Sequence, residues 1–165
     1  MADIALRLPD AVAFQPSLRA TQARRNVPAL LQTVEDGQFH EMEAAFRASG
    51  GITSADEVTV ALRRRTNQPI SMLARWIVDD QVLSFRWQGF TMLPMFQFDM
   101  TTMALRQPVS DVIRELVPAL GGWDAALWFA QPNAWLGDAR PVEAIDTDPR
   151  AVYDAARADR FLARG

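Results

Sequence analysis

Most apolar residues in the chain recur at helical spacing, beginning with residues 17–35. That segment carries Leu18, Val27, Leu30, Leu31 and Val34. Pro28 lies inside the series, and proline has no amide proton to donate within a helix. The pattern therefore predicts two helical pieces in this segment. After Asp36-Gly37 it predicts a short amphipathic helix over residues 38–48 that ends at Gly50-Gly51.

Two further short helices are predicted around the polar turn TNQ. The first begins with a capping box formed by Ser54 and Glu57 and ends at Arg63-Arg64-Arg65. Pro69 suits the first turn of the second helix. The apolar stripes are Ala55, Val58 and Leu62 in the first helix, and Ile70, Leu73, Ala74 and Ile77 in the second. This pair has the outline of a helix-turn-helix.

A β-hairpin is predicted directly after this helix pair. The segments VLSFRW and FTMLPMFQF are rich in aromatic and β-branched residues and flank Gln88-Gly89, a typical tight-turn pair. Pro94 should restrict the second strand to a sheet edge or interrupt it. A hairpin in this place indicates a winged arrangement.

The periodicity lapses over residues 99–108, and this lapse predicts two modules, residues 1–100 and residues 108–165. The second module contains a helix with Val109, Val112, Ile113, Leu116 and Leu120 on one side, an aromatic helix over 123–131, the connector PNAWLGDARP, and a last helix with Val152, Ala155, Ala156 and Phe161 inward. The predicted fold is mainly α, with a helix-turn-helix-like amino-terminal module and hairpin followed by a small helical bundle.

Composition narrows the chemistry that the chain can perform. Its 165 residues are 49% apolar, which suffices for a core, and the formal charge is −3. There is no cysteine and only one histidine, His40, which is expected on a helix surface. Disulfides, thiol catalysis and most structural zinc sites are excluded, and we expect neither metal nor cofactor.

Enzymatic activity is the least favoured interpretation. The close acidic sets, such as Asp79-Asp80, suit helix caps and solvated turns, and the sequence places no nucleophile elbow or phosphate-binding glycine loop beside them. The amino terminus lacks the pattern of a signal peptide, and no apolar run approaches the length of a membrane span. We therefore expect a cytoplasmic protein.

A local basic patch gives the chain a candidate DNA-binding surface. Residues 58–76 contain four arginines and no acidic residue. The candidate contacts are Arg63, Arg64, Arg65, Ser71, Met72 and Arg75, with Arg86 at the hairpin tip. Arginine can read guanine in the major groove or neutralise phosphates. The alternative is a solvated arginine run that ends a helix, where cations favour the negative end of the dipole. Arg86 could likewise serve only to keep the hairpin tip soluble.

The last third of the chain resembles the toxin-binding module of the Xre/MbcA/ParS-like antitoxins. The resemblance rests on Trp128-Phe129, then PNAWLG and RPVEAI, then the terminal helix with Val152. Its most specific part is the spacing from Asn133 through Gly137 to Pro141. The segment LPMFQFD is similar to a hairpin strand that precedes this module in a subset of these proteins.

This resemblance implies an antitoxin-like regulator of a bacterial type II toxin-antitoxin system. Such proteins bind and occlude a partner toxin, often a RES-domain enzyme that degrades NAD, and repress their own operon by binding DNA. We expect a homodimer. The alternative is a stand-alone interaction or structural protein with the same fold, but with neither toxin nor operator.

The expected partner-binding residues lie in the connector of the second module. They are Asn133, Trp135, Leu136, Gly137, Arg140 and Pro141. Trp135 lies between helix-breaking residues, and partly exposed aromatic residues in loops often anchor interfaces. The alternative is that Trp135 and Leu136 fold back as a plug over the last two helices.

Overall fold

The structure is a computed structural model that describes the backbone of residues 18–164 and the side chains of residues 30–163. The chain divides into two compact units, Met1–Asp36 and Gly37–Gly165. The helices are α1 (Leu18–Phe46), α2 (Ala55–Leu62), α3 (Pro69–Val78), α4 (Gln107–Leu120), α5 (Gly122–Ala130), α6 (Pro141–Ala144) and α7 (Pro149–Arg164). The strands are β1 (Ile52–Ser54), β2 (Phe85–Trp87) and β3 (Phe90–Pro94). The fold is mainly α with one small sheet, as the sequence predicted.

Helix α1 runs without interruption through Pro28 and Gly37. The predicted division into two helical pieces and a separate helix over residues 38–48 is therefore wrong. A proline removes a single hydrogen bond, so a helix can continue through it, and a glycine costs only about 1 kcal/mol. The part of α1 after Gly37 is held by packing, because Phe39, Met42 and Phe46 are buried. His40 is exposed on this helix, as predicted.

The helix pair begins as the sequence predicted. The Ser54 side chain accepts a hydrogen bond from the Glu57 amide, and the Glu57 carboxylate accepts one from the Ser54 amide. Hydrogen bonds from the Thr53 hydroxyl and from Ser54 hold the pKa of Glu57 below its ordinary value. Ser54 also ends β1, a strand that the sequence reading missed. Helix α3 starts at Pro69, again as predicted.

The inward face of α3 differs from the predicted stripe. Leu73 is buried, while Met72, Trp76 and Ile77 are half-buried and pack against the same cluster. Ile70 is 71% exposed, and Ala74 is also exposed. Trp76 causes this rotation, because its large ring lies 6.3 Å from the Phe98 ring and brings the adjacent face of the helix inward. The prediction that Met72 lies off the apolar face is therefore wrong.

The three strands form an antiparallel sheet in the order β1-β3-β2. Gln88 and Gly89 both have positive φ, as a tight hairpin turn requires, so the predicted hairpin is confirmed. β3 is the central strand, so of the two predicted effects of Pro94 the edge position is wrong, and the interruption of the strand is what occurs, because β3 ends at Pro94. Pro94 is tolerated because it is the last residue of β3, opposite Ile52, where the chain leaves the sheet for the short 3₁₀ turn Met95–Gln97.

Two apolar clusters fill the unit Gly37–Gly165. The first joins the end of α1 and strand β2 to α4, α5, α6 and α7, and the second lies among α2, α3 and β3. The segment after β3 contributes side chains to both clusters, because Phe96 belongs to the first cluster and Met95 and Phe98 belong to the second. The sequence predicts a module boundary at residues 99–108, which comprise the irregular connection after the sheet and the start of α4 at Gln107. These residues lie inside this unit.

Gln97 has a fully buried side chain that binds backbone groups of the preceding segments. Its Oε1 accepts from the Leu83 amide at 2.7 Å, and its Nε2 donates to the carbonyls of Leu83 at 2.9 Å and Pro94 at 2.8 Å. The amide thus pairs with Leu83 as a neighbouring strand would. In addition, the Gln97 carbonyl accepts from the Arg106 amide at 3.0 Å. Gln97 therefore joins the segment that follows β3 to the segment that precedes β2.

The carboxyl-terminal helices enclose most of the first cluster, and α4 packs against α7 along its length. At the start of α5, a Cβ added to Gly122 would lie 1.9 Å from the Ser84 carbonyl oxygen, so this position requires glycine. On α7, Val152, Ala155 and Ala156 are buried as predicted, but Phe161 is 78% exposed, contrary to the prediction. Phe161 follows Val152 by nine residues, which is two and a half helical turns. It therefore projects from the opposite face.

Replacement of Gln97 by leucine should lower the free energy of unfolding by about 3–5 kcal/mol. The change removes three buried hydrogen bonds and leaves the Leu83 and Pro94 backbone groups without partners. Urea denaturation measures the loss. The matched control is Gln107→Leu at an exposed position, which should change stability by no more than about 0.5 kcal/mol. Equal effects of the two substitutions would contradict the role assigned to Gln97.

Candidate functional site

The connector between α5 and α6, residues 132–141, forms a tight corner. It contains one 3₁₀ turn, Ala134–Leu136, which begins after Asn133 and ends at Gly137. Gly137 adopts the left-handed conformation, with φ 62° and ψ 40°, which glycine takes without the steric cost that a side chain would bring. The helix breakers at the corner thus redirect the chain from α5 into α6.

Asn133 closes the corner from inside. Its side-chain oxygen accepts from the Trp135 amide at 2.9 Å, and its own amide donates to the Ala139 carbonyl at 3.1 Å. Its carbonyl accepts from the amides of Leu136 and Asp138, each at 3.0 Å. Asn133 is buried, and so is Pro141, which starts α6. These two predicted partner-binding residues are thus positioned to shape the corner and not to present a contact surface.

Asp159 of α7 holds the corner against the last helix. Its Oδ2 accepts from the Trp128 indole at 2.7 Å and from the Asn133 side chain at 2.9 Å, and its Oδ1 accepts from the Trp135 indole at 2.9 Å. One carboxylate therefore receives three N–H groups from three positions. Hydrogen bonds to a charged acceptor are stronger than those between neutral groups. This arrangement fixes the orientation of both tryptophan rings.

The two large apolar residues of the corner have different surroundings. Leu136 is half-buried and packs against the first cluster, whereas Trp135 is 62% exposed. The alternative that these two residues fold back onto their own domain therefore holds for Leu136 alone. The Trp135 ring faces solvent over most of its surface but is fixed at its indole nitrogen. Gly137 and Arg140 are also exposed beside it, and Arg140 lies 3.4 Å from Glu143.

Sequence reasoning missed Asp159, although one signal was available. Asp159 follows Val152 by seven residues and so continues the buried stripe of α7, a place where an unpaired acid would be costly. An acidic residue on an apolar stripe implies a set of donors nearby. The candidate donors in this chain were the indole nitrogens of the tryptophans already assigned to the aromatic helix and the corner.

The second candidate surface is the outer side of α2 and α3. Arg63 and Arg64 are exposed, and neither guanidinium makes a hydrogen bond or ion pair with any residue that the structure describes. Arg65 reaches the Thr102 carbonyl at 3.5 Å. On α3, Ser71 and Arg75 are exposed.

A shallow cleft brings three of the DNA-binding candidates together. It has a volume of about 230 Å³ and is lined by Thr66, Gln68, Ser71, Met72, Arg75 and Trp76. Arg86 is not part of this lining, and its guanidinium donates to the Gly89 carbonyl at 2.9 Å, within its own hairpin.

A larger cleft of about 420 Å³ lies between α4 and α7, but it contains none of the residues predicted from the sequence. Its charged side chains are paired, since Arg114 lies 3.3 Å from Asp111, Arg150 2.9 Å from Asp154 and Glu115 2.5 Å from Arg160. Tyr153 also donates to Glu115 at 3.0 Å. The bond to Glu115 raises the pKa of Tyr153. Among the described residues, no three histidine or acidic side chains converge as a metal site would require.

None of the helices between residues 18 and 164 combines the length and apolar content that would let it cross a membrane. Comparisons of the chain with protein-family models, with curated proteins and with solved structures find no match.

Replacement of Asp159 by asparagine should loosen the corner and destabilise the protein by about 2 kcal/mol. An amide offers one acceptor oxygen where three N–H groups now converge, and its own N–H groups would face other donors. Urea denaturation measures the loss of stability. Acrylamide quenching of tryptophan fluorescence measures the exposure of the rings and should increase. Asp154→Asn on the exposed face of α7 is the control and should leave both unchanged. Unaltered quenching in Asp159→Asn would show that the carboxylate does not hold the rings.

Proposed function

We propose that this chain is a binding protein that docks a partner protein through the corner formed by residues 132–141. The observation that carries the proposal is Trp135, a tryptophan that is 62% exposed yet fixed by a hydrogen bond to Asp159. Tryptophan is enriched among the residues that dominate interface energies. A large apolar ring held in one orientation in solvent suits an anchor that enters a pocket of a partner.

The surroundings of Trp135 support the same function. A rigid anchor loses little conformational entropy on binding, because its orientation is already fixed before the partner arrives. Leu136 packs against the first cluster and so holds the turn in place. The exposed Asp138 and Arg140 supply a polar rim near Trp135. A buried apolar centre with a polar rim is the usual composition of protein interfaces.

For the partner, we propose a toxin enzyme, as the resemblance to the Xre/MbcA/ParS-like antitoxins implies. The chain would act by stoichiometric occlusion, with the corner covering the active site of the toxin. A RES-domain enzyme that degrades NAD is the proposed class of toxin. The alternative is a stand-alone interaction protein that uses the same corner on a partner of another kind.

Replacement of Trp135 by alanine should weaken partner binding by at least about 2 kcal/mol, roughly thirtyfold. The experiment co-expresses the chain with the product of the adjacent gene and measures co-purification, affinity and inhibition of that product. Phe90→Ala is the matched control, since Phe90 is another aromatic residue with 63% exposure, located on the hairpin. The affinity of the Phe90→Ala variant for the partner should not change.

Each outcome of this experiment decides between the proposals. Equal losses in the two variants would contradict the assignment of the corner. A chain that is recovered alone and leaves the neighbouring product fully active would remove the antitoxin proposal. Capture of a different partner that depends on Trp135 would favour the stand-alone alternative.

The outer side of α2 and α3 favours a second candidate function, DNA binding. Two helices precede a hairpin there, as in a winged arrangement, and the guanidinium groups of Arg63 and Arg64 have no hydrogen-bond or ion-pair partner among the described residues. The exposed face of α3 is mixed, with Ile70 and Ala74 beside Ser71 and Arg75. Because few polar groups on α3 could read base edges, we propose that phosphate contacts supply most of the affinity.

Replacement of Arg63, Arg64 and Arg65 by alanine should weaken binding to DNA from upstream of the gene and flatten its dependence on salt. Each lost phosphate contact should reduce the slope of log affinity against log salt by about 1. Fluorescence anisotropy across a salt series measures both. Arg150→Ala together with Arg157→Ala removes exposed arginines from α7 and serves as the control. No binding by the unmodified chain at low salt would remove this candidate function.

A further inference from the structure

The shallow cleft beside α3, here called the α3 cleft, combines an aromatic ring with polar groups. Trp76 is half-buried, and its ring lies 6.3 Å from the ring of the buried Phe98. The polar residues that line the cleft with Trp76 are Thr66, Gln68, Ser71 and Arg75. A ligand of this cleft would therefore combine a flat aromatic surface with polar groups at its edge.

The polar side chains of the α3 cleft have hydrogen-bonding capacity that the fold does not use. The side-chain amide of Gln68, the hydroxyl of Ser71 and the indole N–H of Trp76 make no hydrogen bond with any residue that the structure describes. The Thr66 hydroxyl accepts from the Gln68 backbone amide at 3.1 Å and keeps its own proton to donate. The cleft thus presents both donors and acceptors to a ligand.

The charge of the α3 cleft favours an anion. Arg75 is the one charged residue of the lining, and residues 58–76 contain four arginines and no acidic residue. The Arg75 guanidinium makes no ion pair with a described residue, although Asp79 follows it by one helical turn. A guanidinium binds phosphate through two parallel N–H groups. Phosphate is therefore a suitable anionic group for a ligand of this cleft.

The size and shape of the α3 cleft suit a single ring system. Its volume of about 230 Å³ is below the range of about 300–1,000 Å³ that pockets for drug-sized ligands occupy. The cleft is a recess that receives an inserted group, whereas readout of a DNA duplex uses side chains that project into a groove. Unpaired nucleobases stack on aromatic side chains, and their edges bind amide and hydroxyl groups. An unpaired base therefore matches this cleft better than a base inside a duplex.

From these properties we infer that the α3 cleft binds one unpaired nucleotide, with its base stacked on Trp76 and its phosphate on Arg75. Gln68 and Ser71 contact the edge of the base. The nucleotide is either free or part of a single strand, since both carry the same base and phosphate. The inference goes beyond the binding of duplex DNA through Arg63 and Arg64, because neither arginine lines the cleft. It is also independent of any partner at the corner.

The first test titrates the full chain with adenosine monophosphate and follows the five tryptophan indole N–H signals by NMR. The Trp76 signal, identified by its loss in Trp76→Phe, should shift, while the other four should stay in place. Arg75→Ala should weaken the affinity by at least about tenfold, because it removes the phosphate contact. Adenosine without phosphate should bind weakly to both proteins. Circular dichroism verifies that each variant is folded.

Arg63→Ala is the matched control, since it removes an exposed arginine from outside the lining. The affinity of this variant for adenosine monophosphate should equal that of the unmodified chain. A Trp76 signal that does not move at saturating nucleotide would overturn the inference. Equal losses of affinity in Arg75→Ala and Arg63→Ala would show that the phosphate does not lie on Arg75.

The second test distinguishes a free nucleotide from a nucleotide within a strand. It compares adenosine monophosphate with a short single-stranded oligodeoxyadenylate and with the same strand in a duplex. Tighter binding of the single strand, with the same shift of the Trp76 signal, would identify a strand as the ligand, and equal binding would identify the free nucleotide. A single strand that binds without moving the Trp76 signal would contradict the assignment of the cleft.

The triple variant Arg63→Ala, Arg64→Ala and Arg65→Ala separates this inference from the proposal of duplex binding. It should lose affinity for duplex DNA and keep its affinity for adenosine monophosphate, because these arginines do not line the cleft. Absence of duplex binding together with a shifted Trp76 signal would remove only the proposal of duplex binding. Duplex binding with an unmoved Trp76 signal in every titration would remove only the nucleotide site.

Discussion

The buried amide of Gln97 is the interaction on which the rest of the unit Gly37–Gly165 depends. Its side chain binds both backbone groups of Leu83, and its neighbours Phe96 and Phe98 enter different apolar clusters. A backbone that passes between two cores exposes polar groups which cannot reach water. The Gln97 amide satisfies those groups, so the sheet and the helical bundle can share one short segment without a gap between them.

The helical bundle connects this segment to the corner at residues 132–141. Phe96 lies 4.8 Å from Phe129 of α5, and the next residue after α5 begins the turn into the corner. Asp159 then connects α5, the corner and α7 through three indole and amide donors. The exposed Trp135 ring is thus held by a charged acceptor at its indole nitrogen, and its neighbour Leu136 packs against the first cluster. Its orientation is a property of the folded unit and not of the loop alone.

Local signals predicted most elements of the fold, whereas contacts between distant segments remained out of reach of the sequence. The capping box at Ser54 and the turn at Gln88-Gly89 follow from nearby residues. The part of α1 after Gly37, the central position of β3 and the rotation of α3 depend on tertiary packing that overrides propensity. For the site, the sequence indicated the corner. The role of Asp159 could not be predicted without knowing that α7 packs beside the corner.

The proposed docking at the corner would require little reordering of the chain. Trp135 is held by Asp159, and its neighbour Leu136 packs against the first cluster, so a partner would meet a surface that is already ordered. Loss of the Asp159 carboxylate would remove this order and leave the exposed ring in place, because the ring is oriented through its indole nitrogen.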